Sequence, residues 1–260
     1  MTIYAPIFGK KNQIDDVDDI SDSAGNADSV KRKLYDRNTD FQWVSTGETS
    51  GTSTITYTPG SSKNARLICI QNHNWKAFTI KYNTSTDFSP AISVSGNTTV
   101  TNHFFLVTEQ AYNTLDISVT DTITASELRK AGQIYVSEEL YTIPDSMPGN
   151  LNLPQPVQKN SVIPLSDGTV HNAYVRTVLN WNLPIAHATE AERDEFKTIF
   201  EYHRRNNFFF IPRPKTLTDD WDGVGVHMIW ANAPDYYRFS TDFQEDGYNI
   251  NMQLLQAGGI

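Results

Sequence analysis

The chain has 260 residues, of which 38% are apolar, 20% charged and 12% aromatic, with a formal net charge of −9. That balance is too apolar for a disordered chain and too polar for a membrane-embedded one, and no apolar run is long enough to cross a bilayer, so no membrane insertion is expected. From Tyr82 to Leu128 there is no Lys or Arg, while Asp87, Glu109, Asp116, Asp121 and Glu127 are all present. A phosphate backbone binds through clustered cations, so nucleic acid is excluded as a partner.

The opening, Met1 to Lys11, has no basic segment followed by an apolar stretch, so no secretory leader is expected. Residues 1–33 read as an acidic arm. Asp15, Asp16, Asp18, Asp19 and Asp28 precede Lys31-Arg32-Lys33, and large apolar residues are few. Two outcomes are open: a solvated leader, or an arm that orders against a neighbouring subunit.

Residues 34–143 read as an antiparallel β-sandwich. Ser53 to Tyr57 alternates as a half-buried strand does, and Ala65 to Ile70 is an apolar run interrupted by Arg66, suited to a strand buried on both faces. Trp75 to Tyr82 alternates again. Ala91 to Val94, Phe104 to Val107, Leu115 to Val119 and Gln133 to Val136 are further strands, separated by turn clusters such as Pro59-Gly60 and Ser95-Gly96-Asn97. Asn83-Thr84-Ser85 and Asn97-Thr98-Thr99 match the glycosylation pattern but read as turn sequence. The single cysteine, Cys69, lies inside an apolar run, which predicts a buried, unreactive thiol.

Residues 144–164 gather Pro144, Pro148, Pro154, Pro156 and Pro164, which predicts an extended linker and a domain boundary. Residues 165–260 read as an α+β domain with one main helix on an antiparallel sheet. Val170 to Leu183 opens it as a strand. Thr189 is a candidate N-cap with Glu192 as its capping-box partner, and Phe196, Ile199, Phe200 and His203 recur at helical spacing. The helix is expected to stop near Asn206-Asn207. Strands then follow at Phe208 to Ile211, Val224 to Trp230, Tyr236 to Phe243 and Tyr248 to Leu255.

Chemistry-bearing motifs are scarce. No nucleophile elbow, phosphate loop, dinucleotide fingerprint or zinc helix is present, so no enzyme, cofactor or metal is expected. The six histidines are dispersed and read as structural. Asp36 to Asp40 places oxygens at alternate positions, but Phe41 and Gly47 occupy the positions where an EF-hand needs Gly and Glu, leaving an Asx turn. Glu138-Glu139 and Asp219-Asp220 are adjacent pairs, which on a strand point to opposite faces and do not make a glycosidase pair by themselves. The ligand-binding candidates are Asn72, His73, Asn74 and Trp75: amides, an imidazole and an indole on one loop could bind hydroxyls and stack on a sugar ring. The competing reading is a connecting loop whose Asn takes left-handed geometry and whose Trp packs in the core. The aromatic end, Trp221, Trp230, Tyr236, Tyr237, Phe239, Phe243 and Tyr248, reads as domain core or subunit interface.

Two resemblances follow from these segments. Leu34 to Ser45, the strand ending at Ile70, and Asn72-His73-Asn74 resemble the discoidin, or galactose-binding-like, β-sandwich. Val175 to Leu183, the helix from Thr189, the Phe-rich strand with Pro212 and Pro214, and Tyr248 to Leu254 resemble the tail-tip, distal-tail or baseplate proteins of tailed bacteriophages. The second resemblance implies a virion structural protein, made in the host cytoplasm. Its expected partners are copies of itself in a ring, other tail proteins and a host surface glycan. The alternative implied by the first is a carbohydrate-binding protein using the Asn72–Trp75 loop.

Overall fold

A computed structural model describes residues 7–9, 12–36, 41–47, 49–138, 140–142, 155–164, 170–203, 208–211, 226–230, 235–240 and 246–256. The described part is mainly β with antiparallel pairing throughout, and it divides into two compact units. One comprises residues 1–142 and 209–225, the other 143–208 and 226–260.

In the first unit the strands are β1 (Ile7–Gly9), β2 (Ile20–Asp22), β3 (Trp43–Val44), β4 (Ser53–Tyr57), β5 (Lys63–Gln71), β6 (Trp75–Tyr82), β7 (Thr86–Val94), β8 (His103–Tyr112), β9 (Leu115–Thr122), β10 (Lys130–Ala131), β11 (Gln133–Ser137) and β12 (Leu140–Thr142). A five-stranded sheet, β2-β4-β9-β6-β7, faces a three-stranded sheet, β11-β5-β8, which is the expected sandwich. Ile55, Phe78, Ile80, Ile117 and Val119 from one sheet meet Ile68, Ile70, Phe105, Ile134 and Val136 from the other. Alternation on β4 puts Thr54 and Thr56 outside and Ser53, Ile55 and Tyr57 inside.

The apolar run on β5 is buried on both faces, as its sequence predicts. Leu67 and Cys69 join Phe104, Leu106 and Tyr135 in a second cluster on the far side of the three-stranded sheet. Burial pushes the Cys69 thiol well above its ordinary pKa, so it stays protonated. Over that face lies β1, paired with β12 on one edge and with β15 (Phe208–Ile211) on the other. Gly9 makes the approach possible: a Cβ there would meet the Leu67 Cδ2 and the Tyr135 Cε1 at 3.0 Å.

Over its described residues the acidic arm is not a free leader. It folds onto its own sandwich. Ile14, Val17 and Ile20 are buried, so a handful of apolar residues suffices, and Leu34 directly after the arm is buried too. Polar anchors hold the rest. Tyr57 Oη donates to the Gln13 carbonyl at 2.6 Å, Tyr112 Oη to Gln13 Oε1 at 2.5 Å, and Gln13 Nε2 to the Asn64 carbonyl at 2.6 Å. Burial raises both tyrosine pKa values. Trp43 Nε1 donates to Asp22 Oδ2 at 2.8 Å, and Asn26 links Asp22 to the Val44 carbonyl. A short helix, α1 (Asp28–Lys31), follows in the arm.

In the second unit are β13 (Gln155–Pro164), β14 (Val170–Ala188), the helix α2 (Glu190–His203), β16 (Val226–Trp230), β17 (Asp235–Ser240) and β18 (Asp246–Gln256). β18 pairs β14 along one edge and β16 and β17 along the other, and among the described residues β13 pairs only β14. The expected linker is thus corrected over half its length. Residues 155–164 are an edge strand, where Pro156 and Pro164 are tolerated because the side away from β14 needs no donor. Residues 143–154 lie outside the described residues. The capping box forms as predicted: Thr189 N donates to Glu192 Oε2 at 2.7 Å and Glu192 N to Thr189 Oγ1 at 3.2 Å. Phe196 and Ile199 bury the inner face of α2.

Candidate functional site

The loop joining β5 to β6 was the sequence's ligand-binding candidate, and the structure gives most of it an internal role. Asn72 turns the chain in the left-handed region, φ 49°, which asparagine tolerates better than most residues. Trp75 then enters β6 with its indole 0% exposed. Register shifts between Trp75 and Phe78 explain this. The bulged strand sends both rings inward, where they meet edge to face at 5.4 Å. An indole without an exposed face offers no platform to a sugar ring, which corrects the expectation for Trp75.

Asn74 is equally committed. Its Nδ2 donates to Glu127 Oε2 at 3.2 Å and to the Leu128 carbonyl at 2.9 Å, and its Oδ1 accepts from Lys130 N at 2.8 Å. The side chain pins this loop to the segment between β9 and β10.

His73, 2% exposed, pairs with His103 across the sandwich, Nε2 to Nδ1 at 2.7 Å. Trp75 N donates to His73 Nδ1 at 3.0 Å, which fixes the tautomer. Neutral His73 must carry its proton on Nε2, where it donates to His103 Nδ1. The rings of Trp75, Phe78 and Phe105 surround the pair. Burial, with a smaller contribution from His103, lowers the His73 pKa to about 3. The dispersed histidines concealed this pair because the partners are 30 residues apart.

What remains outward at this end of the sandwich is a different set of residues. Asn72 N donates to Asn102 Oδ1 at 2.9 Å, and the Asn72 carbonyl accepts from Gln42 Nε2 at 2.9 Å. Next to Gln42 stands Phe41, 57% exposed, the one large hydrophobic side chain left exposed among the described residues. Gln42 and Asn102 are thus bonded to the Asn72 backbone, and with Phe41, next to Gln42 in the chain, these four residues make up the patch. The sequence signal for Phe41 was weak: an aromatic in a polar stretch directly before the buried Trp43 reads equally well as core.

Other candidates resolve differently. Among the described residues no group of three or more His, Cys, Asp or Glu is placed to hold a metal ion. Residues 37–40, Trp221 and Phe243 lie outside the described residues. At the aromatic end, Tyr248 takes the Arg193 guanidinium over its ring at 4.4 Å and accepts a hydrogen bond from it, tying α2 to β18. No helix of the described residues is long and apolar enough to cross a membrane.

No family model matches the chain, and no curated protein matches it. Solved structures similar to it include a chitosan-binding module of a chitosanase/glucanase from Paenibacillus sp. IK-5, at 13% identity and TM-score 0.38 over 50% of this chain and 98% of that one. A family 32 carbohydrate-binding module produced by Clostridium perfringens is similar at 16% identity and TM-score 0.36, over 51% and 99%. A putative α-L-fucosidase from Bacteroides thetaiotaomicron is similar at 10% identity and TM-score 0.39, over 46% of this chain and 27% of that one. At these identities and scores the likeness assigns no ligand to this chain.

Proposed function

We propose that this chain is a non-catalytic binding protein whose N-terminal sandwich takes carbohydrate at the end marked by Phe41. The exposed Phe41 ring, next in the chain to Gln42, carries the reading. A solvent-facing ring offers the C–H face of a sugar an apolar partner. The amides of Gln42, Asn72 and Asn102 supply adaptable donors and acceptors for hydroxyls at its edge. The test is calorimetric titration with soluble neutral and acidic oligosaccharides. Wild type is expected to bind one class, and Phe41→Ala to lose at least about tenfold in affinity with an unchanged melting temperature. Equal binding by the variant, or no binding by wild type, overturns the reading.

A second reading is a subunit of a phage tail tip or baseplate, in a homo-oligomeric ring with other tail proteins and in contact with a host glycan. It rests on the sequence resemblance of Val175 to Leu254 to such proteins, a stretch that lies largely in the second unit. Electron microscopy of assembled particles decides: a ring of copies supports it, and isolated single copies end it.

A further inference from the structure

The His73–His103 pair is tied through the chain to the exposed patch, because each histidine is the chain neighbour of a patch asparagine, Asn72 and Asn102. The two loops are also stitched together through His73 N, which donates to the Thr101 carbonyl at 3.0 Å. Both basic nitrogens that face this network are already in use. His73 Nδ1 accepts from Trp75 N, and His103 Nδ1 accepts from His73 Nε2.

An added proton therefore has nowhere to go without breaking the arrangement. On His73 Nδ1 it points at the Trp75 N–H. On His103 Nδ1 it points at the His73 Nε2–H across 2.7 Å. Either way two donors are opposed inside a ring of aromatic side chains. From β6 the groups facing the pair are Trp75 and Phe78, and from β8 Phe105, none of them able to offer a carboxylate. On the segment between β9 and β10, Glu127, Arg129 and Lys130 lie near Asn74, and Glu127 already accepts from its amide. The other titratable group acting on His73 is His103.

We propose that the histidine pair is an acid-sensitive latch: it holds the Asn72 and Asn102 loops closed when neutral and opens that end of the sandwich when protonated. The consequence for a ligand rests on the reading of that end as a sugar site; the latch itself does not. Opened imidazoles have an ordinary pKa near 6.5, so each one multiplies the open-to-closed ratio by up to about tenfold per pH unit below it. Two together give up to about a hundredfold per unit, so loop opening rises steeply over mildly acid pH while the strands stay paired.

The test is amide hydrogen exchange on the full chain, corrected for intrinsic rates, between about pH 7.5 and about pH 4.5. Wild type is expected to lose protection at residues 71–76 and 101–104 by more than tenfold beyond whatever β4 and β9 lose, since those core strands report global unfolding. His73→Asn with His103→Gln keeps acceptors at both positions but cannot titrate, and its loops are expected to show a flat profile. A flat wild-type profile, or the same loss in the variant, overturns the latch. Should the double variant fail to fold, nitrogen-15 spectra of wild type decide. Imidazolium signals arising together with loop shifts support the latch, and imidazoles titrating near 6.5 under unmoved loops overturn it. Oligosaccharide titration at about pH 7.5 reports separately on the sugar reading: acid opening without binding keeps the latch and removes the reading.

Discussion

At the scale of single residues, the same loop holds groups with opposite duties. Trp75 is a core side chain, so Trp75→Ala is expected to cost about 3–5 kcal/mol of stability, measured by urea denaturation, with any loss of binding following from unfolding. His73 gives a second prediction. Its folded pKa, about 3, lies below the ordinary value of 6.5, so the unfolded chain binds more protons between those limits. Stability is then fully present above about pH 6.5 and falls by up to about 1.4 kcal/mol per pH unit as the solution is acidified toward the folded value. Denaturation midpoints at neutral and mildly acid pH check this, with His73→Asn expected to show the shallower slope.

At the scale of elements, the arm shows how little apolar material is needed when polar groups fix its path. Gln13 is the clearest case, since its amide serves Tyr112 and the Asn64 carbonyl inside the sandwich. Gln13→Ala leaves both without that partner and is expected to cost about 2 kcal/mol, read as a lowered melting temperature with an unaltered strand content. The sandwich strands were legible beforehand because their alternation and turn residues are local properties. Ser53 to Tyr57 and Gln133 to Val136 fall on β4 and β11 within a residue. The arm was not legible, because composition counts apolar residues and cannot show that Ile14, Val17 and Ile20 all reach the core.

For the whole molecule, the core of the sandwich draws, among the described residues, on residues between Ile14 and Val136. A fragment of residues 1–142 is therefore expected to fold alone, with one cooperative thermal transition. It should melt below the full chain, since β1 loses its pairing with β15. A fragment without cooperative melting would place essential contacts in the rest of the chain. The two units are also interleaved in sequence, because residues 209–225 group with the first, so a division into an N-terminal and a C-terminal half describes the chain only in part.

The sequence by itself determined the class of the protein: mainly β, with one capped helix and a buried thiol. Those features follow from periods of two and 3.6, from capping chemistry within three residues, and from an apolar run. It also named the right loop, but not the groups that face outward from it. Trp75 turns inward at a bulge whose position depends on pairing with β9, His73 meets a partner 30 residues away, and Phe41 is left outside once Trp43 is bonded to Asp22. Each outcome is set by contacts between segments distant in the chain, and only the tertiary structure brings those segments together.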